Sequence, residues 1–222
     1  MTEDSSWLAN LYLIGGSPCS GKTTITDRIA KTYGLPTYRC DDAYFEHAKE
    51  LTPEQPVFSR LANASAEAIW MRPVPLQIEE ELEIYREEFP FIVRDLKNLA
   101  QSGPIIAEGA ALSPSLVATL GIATHQAIWI VPTEEFQRHH YGQRDWRHDV
   151  VKDCSDPDQA WENWMARDAG FALRVAAEAR EFGFALITTD GSASIETNLD
   201  VVERRFKLRN RSSFPGTEVP GY

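Results

Sequence analysis

The sequence has no run of about 18 apolar residues, so no stretch reads as a membrane-spanning helix. Its opening Met1-Thr2-Glu3-Asp4 is acidic where a signal peptide is basic and then apolar, and a cytoplasmic protein with no membrane partner is expected. Cysteine is scarce. Positions 19, 40 and 154 form an odd set without metal-ligand spacing, which excludes a disulfide framework and predicts free thiols in a reducing compartment. Positive charge is also in short supply: 22 Lys and Arg against 33 Asp and Glu leave a net charge of −11. Binding along a nucleic-acid backbone needs a basic surface, so no nucleic-acid partner is expected. There is no internal repeat, no low-complexity tract, and neither the Asn/Thr-Lys-x-Asp string nor the Asp-x-x-Gly string with which guanine-nucleotide switches read their ligand.

What is present is ordinary globular composition, 43% hydrophobic and 25% charged, in 222 residues, enough for one α/β domain over 1–222. Its most informative string is Gly16-Ser17-Pro18-Cys19-Ser20-Gly21-Lys22-Thr23, which fits G-x-x-x-x-G-K-[ST]. The apolar run Leu11–Ile14 precedes it and a helical pattern from Thr24 to Tyr33 follows, the strand–loop–helix context that this motif requires. Glycines at 15, 16 and 21 allow backbone N–H groups to crowd around phosphate oxygens, and the helix start adds its positive dipole end. Lys22 is expected on the β- and γ-phosphates and Thr23 on Mg²⁺, with Gly16 to Thr24 forming the nucleotide-binding loop of an ATP site. Cys19 reads first as a small loop residue; the alternative is a thiol whose pKa the surrounding N–H groups lower.

Strand-length apolar runs recur at Leu11–Ile14, Pro36–Arg39, Ile105–Ala107, Ala127–Val131 and Ala185–Thr188, with helical patterns between most of them. That alternation predicts a parallel sheet with helices on both faces and a ligand at the carboxyl ends of its strands. The interval 41–103 carries no strand pattern and is expected to be a helical insertion. Within it Ile78, Leu82, Tyr85, Phe89, Ile92, Leu96 and Leu99 mark one long amphipathic helix, which Pro90 should kink. The glutamates at 79, 80, 81, 83, 87 and 88 read mostly as its solvated face. A basic and aromatic segment over 138–157 reads as a mobile lid, a helix is expected from about Pro157 to Phe182, and 209–222 reads as a loose tail.

Phosphoryl transfer to an alcohol needs a carboxylate at the acceptor and others near Mg²⁺. Asp42 is the candidate base, with Asp41 as its close substitute; either acid could instead cap the following helix. Glu108, directly after an apolar run and before Gly109, has the position of a metal-side or substrate-side acid. Arg144 and Arg167 are the arginines expected to stabilise the transferring phosphate, ahead of Arg138 and Arg147. Tyr44 and the segment Trp70-Met71-Arg72-Pro73, with arginines 39, 60, 86 and 94, could line a pocket for an anionic acceptor or form surface pairs with the glutamates. The adjacent His139 and His140 read as solvated side chains, and Asp190-Gly191-Ser192 as an adenine contact or a plain turn.

With these residues placed, the chain resembles the P-loop small-molecule kinases: nucleoside and nucleotide kinases, shikimate and gluconate kinases, and the uridine kinase group. Asp41-Asp42-Ala43-Tyr44 looks like their acid-aromatic element after the second strand, Glu108-Gly109 like the Glu-Gly of the uridine kinase group, and Arg144 and Arg167 like lid arginines. The resemblance implies a five-stranded sheet in the order 2-3-1-4-5, a substrate insertion and a closing lid. It also implies ATP-dependent phosphorylation of a hydroxyl or phosphate on a small, possibly anionic metabolite or nucleoside. An ATP-operated switch without an acceptor is the competing reading.

Overall fold

The computed structural model describes residues 5–208, so the expected tail over 209–222 lies outside the described residues. Strand β1, Leu11–Gly16, is buried at all six positions, the pattern of a parallel strand covered on both faces. It pairs in parallel with β3 (Ile105–Glu108) on one side and β4 (Ala127–Pro132) on the other. Strands β2 (Thr37–Arg39) and β5 (Ala185–Thr189) complete a five-stranded sheet in the order β2-β3-β1-β4-β5, the order expected.

The sheet separates two cores, and the period-two alternation of β1 assigns its residues between them. Leu11 and Leu13 join Trp129, Ile92, Leu96 and Phe171 on one face. Tyr12 and Ile14 join Ile25, Ile29, Ile128, Val202 and Phe206 on the other. Each fully buried aliphatic or aromatic side chain contributes about 1.5–3 kcal/mol, so these faces hold the helices to the sheet. The first face carries α5 (Val74–Ala100) and α9 (Pro157–Glu181); the second carries α1 (Lys22–Tyr33) and α10 (Ile195–Arg205).

The interval 41–103 is helical as expected, and it starts earlier than a strand end would suggest. Helix α2 (Cys40–His47) begins directly after β2, followed by α3 (Pro56–Ala62), α4 (Ala66–Trp70) and the 27-residue α5. Helix α5 runs unbroken through Pro90, which is exposed, and the last seam residue, Leu99, is 44% exposed. The glutamates of α5 are not mostly solvated, because α2, α3 and α9 pack against this helix. Glu87 accepts from the backbone N–H groups of Val57 and Phe58 at 3.1 and 2.7 Å, capping α3. Glu80 pairs with Arg60 and Arg72, Glu81 with Arg167, and Glu88 with His47.

Between β4 and α9 the segment expected as a lid folds into α7 (Glu134–Gly142) and α8 (Arg147–Val151). Thr133 caps α7 and Asp156 caps α9. Tyr141, Val151, Cys154 and Trp164 bury themselves with Trp70, so the lid segment shares a third apolar cluster with the insertion. Between α6 (Pro114–Ala118) and β4 a short 3₁₀ turn completes the described chain. Among the described residues, no helix is long and apolar enough to cross a membrane.

Candidate functional site

At the carboxyl end of β1 the chain turns through the glycine-rich loop into α1. Gly16 sits at φ +133°, and a Cβ there would fall 1.9 Å from the Ile130 carbonyl oxygen, so only glycine allows β1 to pair this closely with β4. Gly21 caps α1 in the left-handed conformation without a side-chain cap, leaving the first N–H groups of a 12-residue helix to external acceptors. Inside the loop, the Lys22 Nζ donates to the Ser17 carbonyl at 2.8 Å while the side chain is buried. Ser20 is also buried, and its Oγ has no hydrogen-bond partner. A buried, unsatisfied hydroxyl together with a lysine that uses one of its three donors is a donor set in want of an anion.

Burial pushes the Lys22 ammonium below its ordinary pKa, while Glu108 and Asp41 pull it back up. Glu108, at the end of β3, accepts from the Thr23 hydroxyl at 3.0 Å and lies 3.8 Å from the Arg39 Nε. Its own carboxyl is raised by burial, with Lys22 and Thr23 opposing the shift. The expected metal pair, Thr23 and Glu108, is therefore in contact. No group of three or more His, Cys, Asp or Glu side chains suited to a metal occurs among the described residues. Mg²⁺ needs none, since one or two protein oxygens plus phosphate and water complete its shell.

Two cavities lie near the carboxyl end of the sheet, and one of them borders this loop. One, of about 540 Å³, lies between the loop, α7 and the turn after β5; Cys19, Gly21, Thr24, Arg144, His140 and Gly191 are on its wall. Ser192 closes a turn by donating its N–H and Oγ to Asp190 at 2.9 and 2.6 Å, so Gly191 alone of the expected pair faces this space. Of its two readings Cys19 follows the small loop residue: burial raises its pKa, and Arg144 and Lys22 offset only part of the shift. His140, expected in solvent, is half-buried against Phe136 at 4.2 Å. Pro18 is half-buried on the same loop, and Ser17 is fully buried with its Oγ 3.5 Å from the Asp168 carbonyl oxygen.

The other cavity, of about 380 Å³, opens between α2, α4, α5 and α9. Asp41, Tyr44, Trp70, Arg72, Tyr85 and Arg167 lie on its wall, and Asp42 does not. Among the described residues Asp41 carries no hydrogen bond or ion pair, and its charge acts on Lys22, Glu108, Tyr85 and Glu88. Asp41 therefore lies on the cavity wall within electrostatic reach of Lys22.

The arginines divide. Arg144 borders the first cavity, its guanidinium over the Tyr141 and Trp146 rings at 4.9 and 5.3 Å. Arg167 belongs instead to the second, held by Glu81 and Asp168 and stacked 4.9 Å over Trp70. Arg138 pairs with Glu134 and Glu162, and Arg147 lies over Trp161. Arg39, Arg60, Arg86 and Arg94 all form carboxylate pairs on the surface, the second of their two readings.

Sequence reasoning missed Gln77, Glu81 and Glu88 on the cavity wall and His47 behind it. The one available signal was the density of acids on α5, which exceeds what a solvated face requires.

No protein-family model matches the chain, and no curated protein matches it. Among solved structures, it is similar to an uncharacterized protein from Eubacterium ventriosum at 11% identity and a TM-score of 0.42, covering 88% of this chain and 97% of the other. A "putative kinase" from Chloroflexus aurantiacus matches at 17% identity and a TM-score of 0.35, covering 88% of this chain and 98% of the other.

Proposed function

We propose that the protein is a P-loop kinase that moves the γ-phosphoryl group of ATP to a small-molecule acceptor held in the 380 Å³ cavity. The observation that carries this reading is Asp41, a carboxylate on the cavity wall with no ion pair among the described residues, whose charge acts on Lys22 of the loop and on Glu108 at the end of β3. A switch without an acceptor has no use for a walled cavity whose free acid adjoins the phosphate loop.

Lys22, the Ser20 hydroxyl and the first amides of α1 would hold the triphosphate, and Thr23 with Glu108 would hold the magnesium ion. When bound, the ion neutralises phosphate charge and draws electron density from the transferring group. Asp41 accepts the proton of the acceptor hydroxyl as its oxygen bonds to the γ-phosphorus; the bond from that phosphorus to the bridging oxygen breaks, and ADP leaves with that electron pair. Arg144 lies on the wall of the 540 Å³ cavity and supplies a cation to the charge spreading on the phosphoryl oxygens. Catalysis of this kind is positioning and charge stabilisation.

The test is ADP release from Mg·ATP with a panel of nucleosides, sugars, amino alcohols and hydroxy acids, alongside calorimetry of Mg·ATP uptake. One acceptor should raise the rate well above the basal level, and Lys22→Ala should abolish that increase. A flat, low rate with every acceptor favours the switch, and no uptake of Mg·ATP rejects nucleotide binding altogether.

A further inference from the structure

The 380 Å³ cavity contains two arginines, a composition that suits an anionic ligand, yet neither guanidinium is available to one. Arg72 is paired with Glu80, and its Nε points to the Ile69 carbonyl at 3.4 Å. Arg167 is held between Glu81 and Asp168, with its face on Trp70. Each positive charge on the wall is thus already neutralised by acids of α5 and α9. The acids are not all matched in return, because Asp41 has no ion pair among the described residues.

Gln77 points the same way. It is 4% exposed, and its Nε2 donates to the carbonyls of Trp70 and Arg72 at 3.2 and 2.8 Å. Those two bonds fix the amide orientation, so the remaining group is an acceptor, and Oε1 has no partner. A buried acceptor left unsatisfied on a cavity wall calls for a donor. Aromatic and aliphatic side chains share the rest of the wall: Tyr44, Tyr85 and Phe45, the last 68% exposed, lie beside Leu61, Ile69 and Ile84.

We infer that this cavity selects a flat-ringed compound bearing hydroxyl or ammonium donors and rejects anionic ones, which rests on the reading of the cavity as the acceptor site. An anion there would meet Asp41 and Glu88 without a free cation to compensate, whereas an ammonium or hydroxyl group satisfies Asp41 and Gln77.

Three compounds that share one hydroxyphenyl ring test this: tyramine is a cation, tyrosol neutral and 4-hydroxyphenylacetate an anion. Their binding to the wild-type protein without nucleotide is measured by ligand-observed NMR titration. Tyramine and tyrosol should bind at least about tenfold more tightly than 4-hydroxyphenylacetate, since like-charge juxtaposition is strongly penalised. Phe45→Ala, at an exposed edge position where the fold does not depend on the ring, should weaken tyramine. Asp41→Asn should narrow the gap between tyramine and the anion. Equal or tighter binding of 4-hydroxyphenylacetate, no binding by any of the three, or indifference to Phe45→Ala overturns the inference. Calorimetry of Mg·ATP is a separate measurement: if nucleotide uptake fails while the tyramine preference holds, the kinase reading falls and the cavity's selectivity stands.

Discussion

The Thr23 hydroxyl donates to Glu108 Oε1 at 3.0 Å, joining the start of α1 to the end of β3. This contact holds two magnesium-type oxygens side by side, and it opposes the burial that raises the Glu108 carboxyl. Thr23→Val removes both effects. It should lower magnesium affinity or activity by about 10- to 100-fold, as loss of a partner at a metal site commonly does. Because Glu108 must be ionised to serve the ion, magnesium activation should weaken as pH falls, over a range above the ordinary carboxylate value of about 4.3, and Thr23→Val should move that range higher. Magnesium titrations of ADP release at several pH values check both; an unchanged dependence in Thr23→Val rejects the pairing as functional.

Asp41 and Asp42 are neighbours in the first turn of α2, and only Asp41 borders the cavity. Asp41→Asn should therefore reduce acceptor-dependent turnover by about 10²- to 10⁴-fold, the usual contribution of a general base, while Asp42→Asn stays near wild type. If kcat falls in Asp42→Asn instead, the roles are reversed.

Gly16→Ala places a Cβ 1.9 Å from the Ile130 carbonyl oxygen on a backbone at φ +133°. Strain and separation of β1 from β4 should cost about 3 kcal/mol or more. Urea unfolding would show this as a lower midpoint, and a midpoint within error of wild type would mean that the loop relaxes.

Behind the cavity, His47 lies between Glu88 Oε1 at 2.8 Å and Asp95 Oδ2 at 2.9 Å, with Phe91 stacked on its ring. Burial lowers its pKa, but the hydrogen bonds and charges of Glu88 and Asp95 outweigh it, and the net shift is upward. Tyr38 and Arg94 both contact Asp95 from outside. A histidine raised on folding stabilises the native state fully below its unfolded value of about 6.5, and that contribution is lost as pH rises through the higher folded value. Unfolding free energy should therefore decline above about pH 6.5 in wild type. His47→Gln should flatten that decline, and an equal slope in both proteins would show that His47 does not titrate there.

Much of this architecture is legible in the chain. All five strands could be read from apolar runs because each is covered on both faces or pairs with one that is, and the sheet order followed from the resemblance. The loop from Gly16 to Thr23 is local, so spacing alone identified it. The acceptor side was less legible. Asp41 and Asp42 differ only in their direction on α2, which depends on the helix starting at Cys40 and not later. Arg167 read as a phosphate-facing arginine on the helix after the lid because its partner, Glu81, is remote in sequence and reaches it only through the packing of α5 on α9. The glutamates of α5 read as solvated because periodicity reports one apolar seam and is silent about helices that cover the flanks.

Arg167 and Asp168 are consecutive on α9, yet they serve opposite neighbours: the Arg167 guanidinium faces the insertion through Glu81, while the Asp168 carbonyl meets Ser17 of the glycine-rich loop. A single helical turn thus ties the glycine-rich loop to the wall of the 380 Å³ cavity. Changes to α2, α3 and α4 can therefore reshape the cavity while the loop keeps its seat on α9, a separation that gives this scaffold room to diversify.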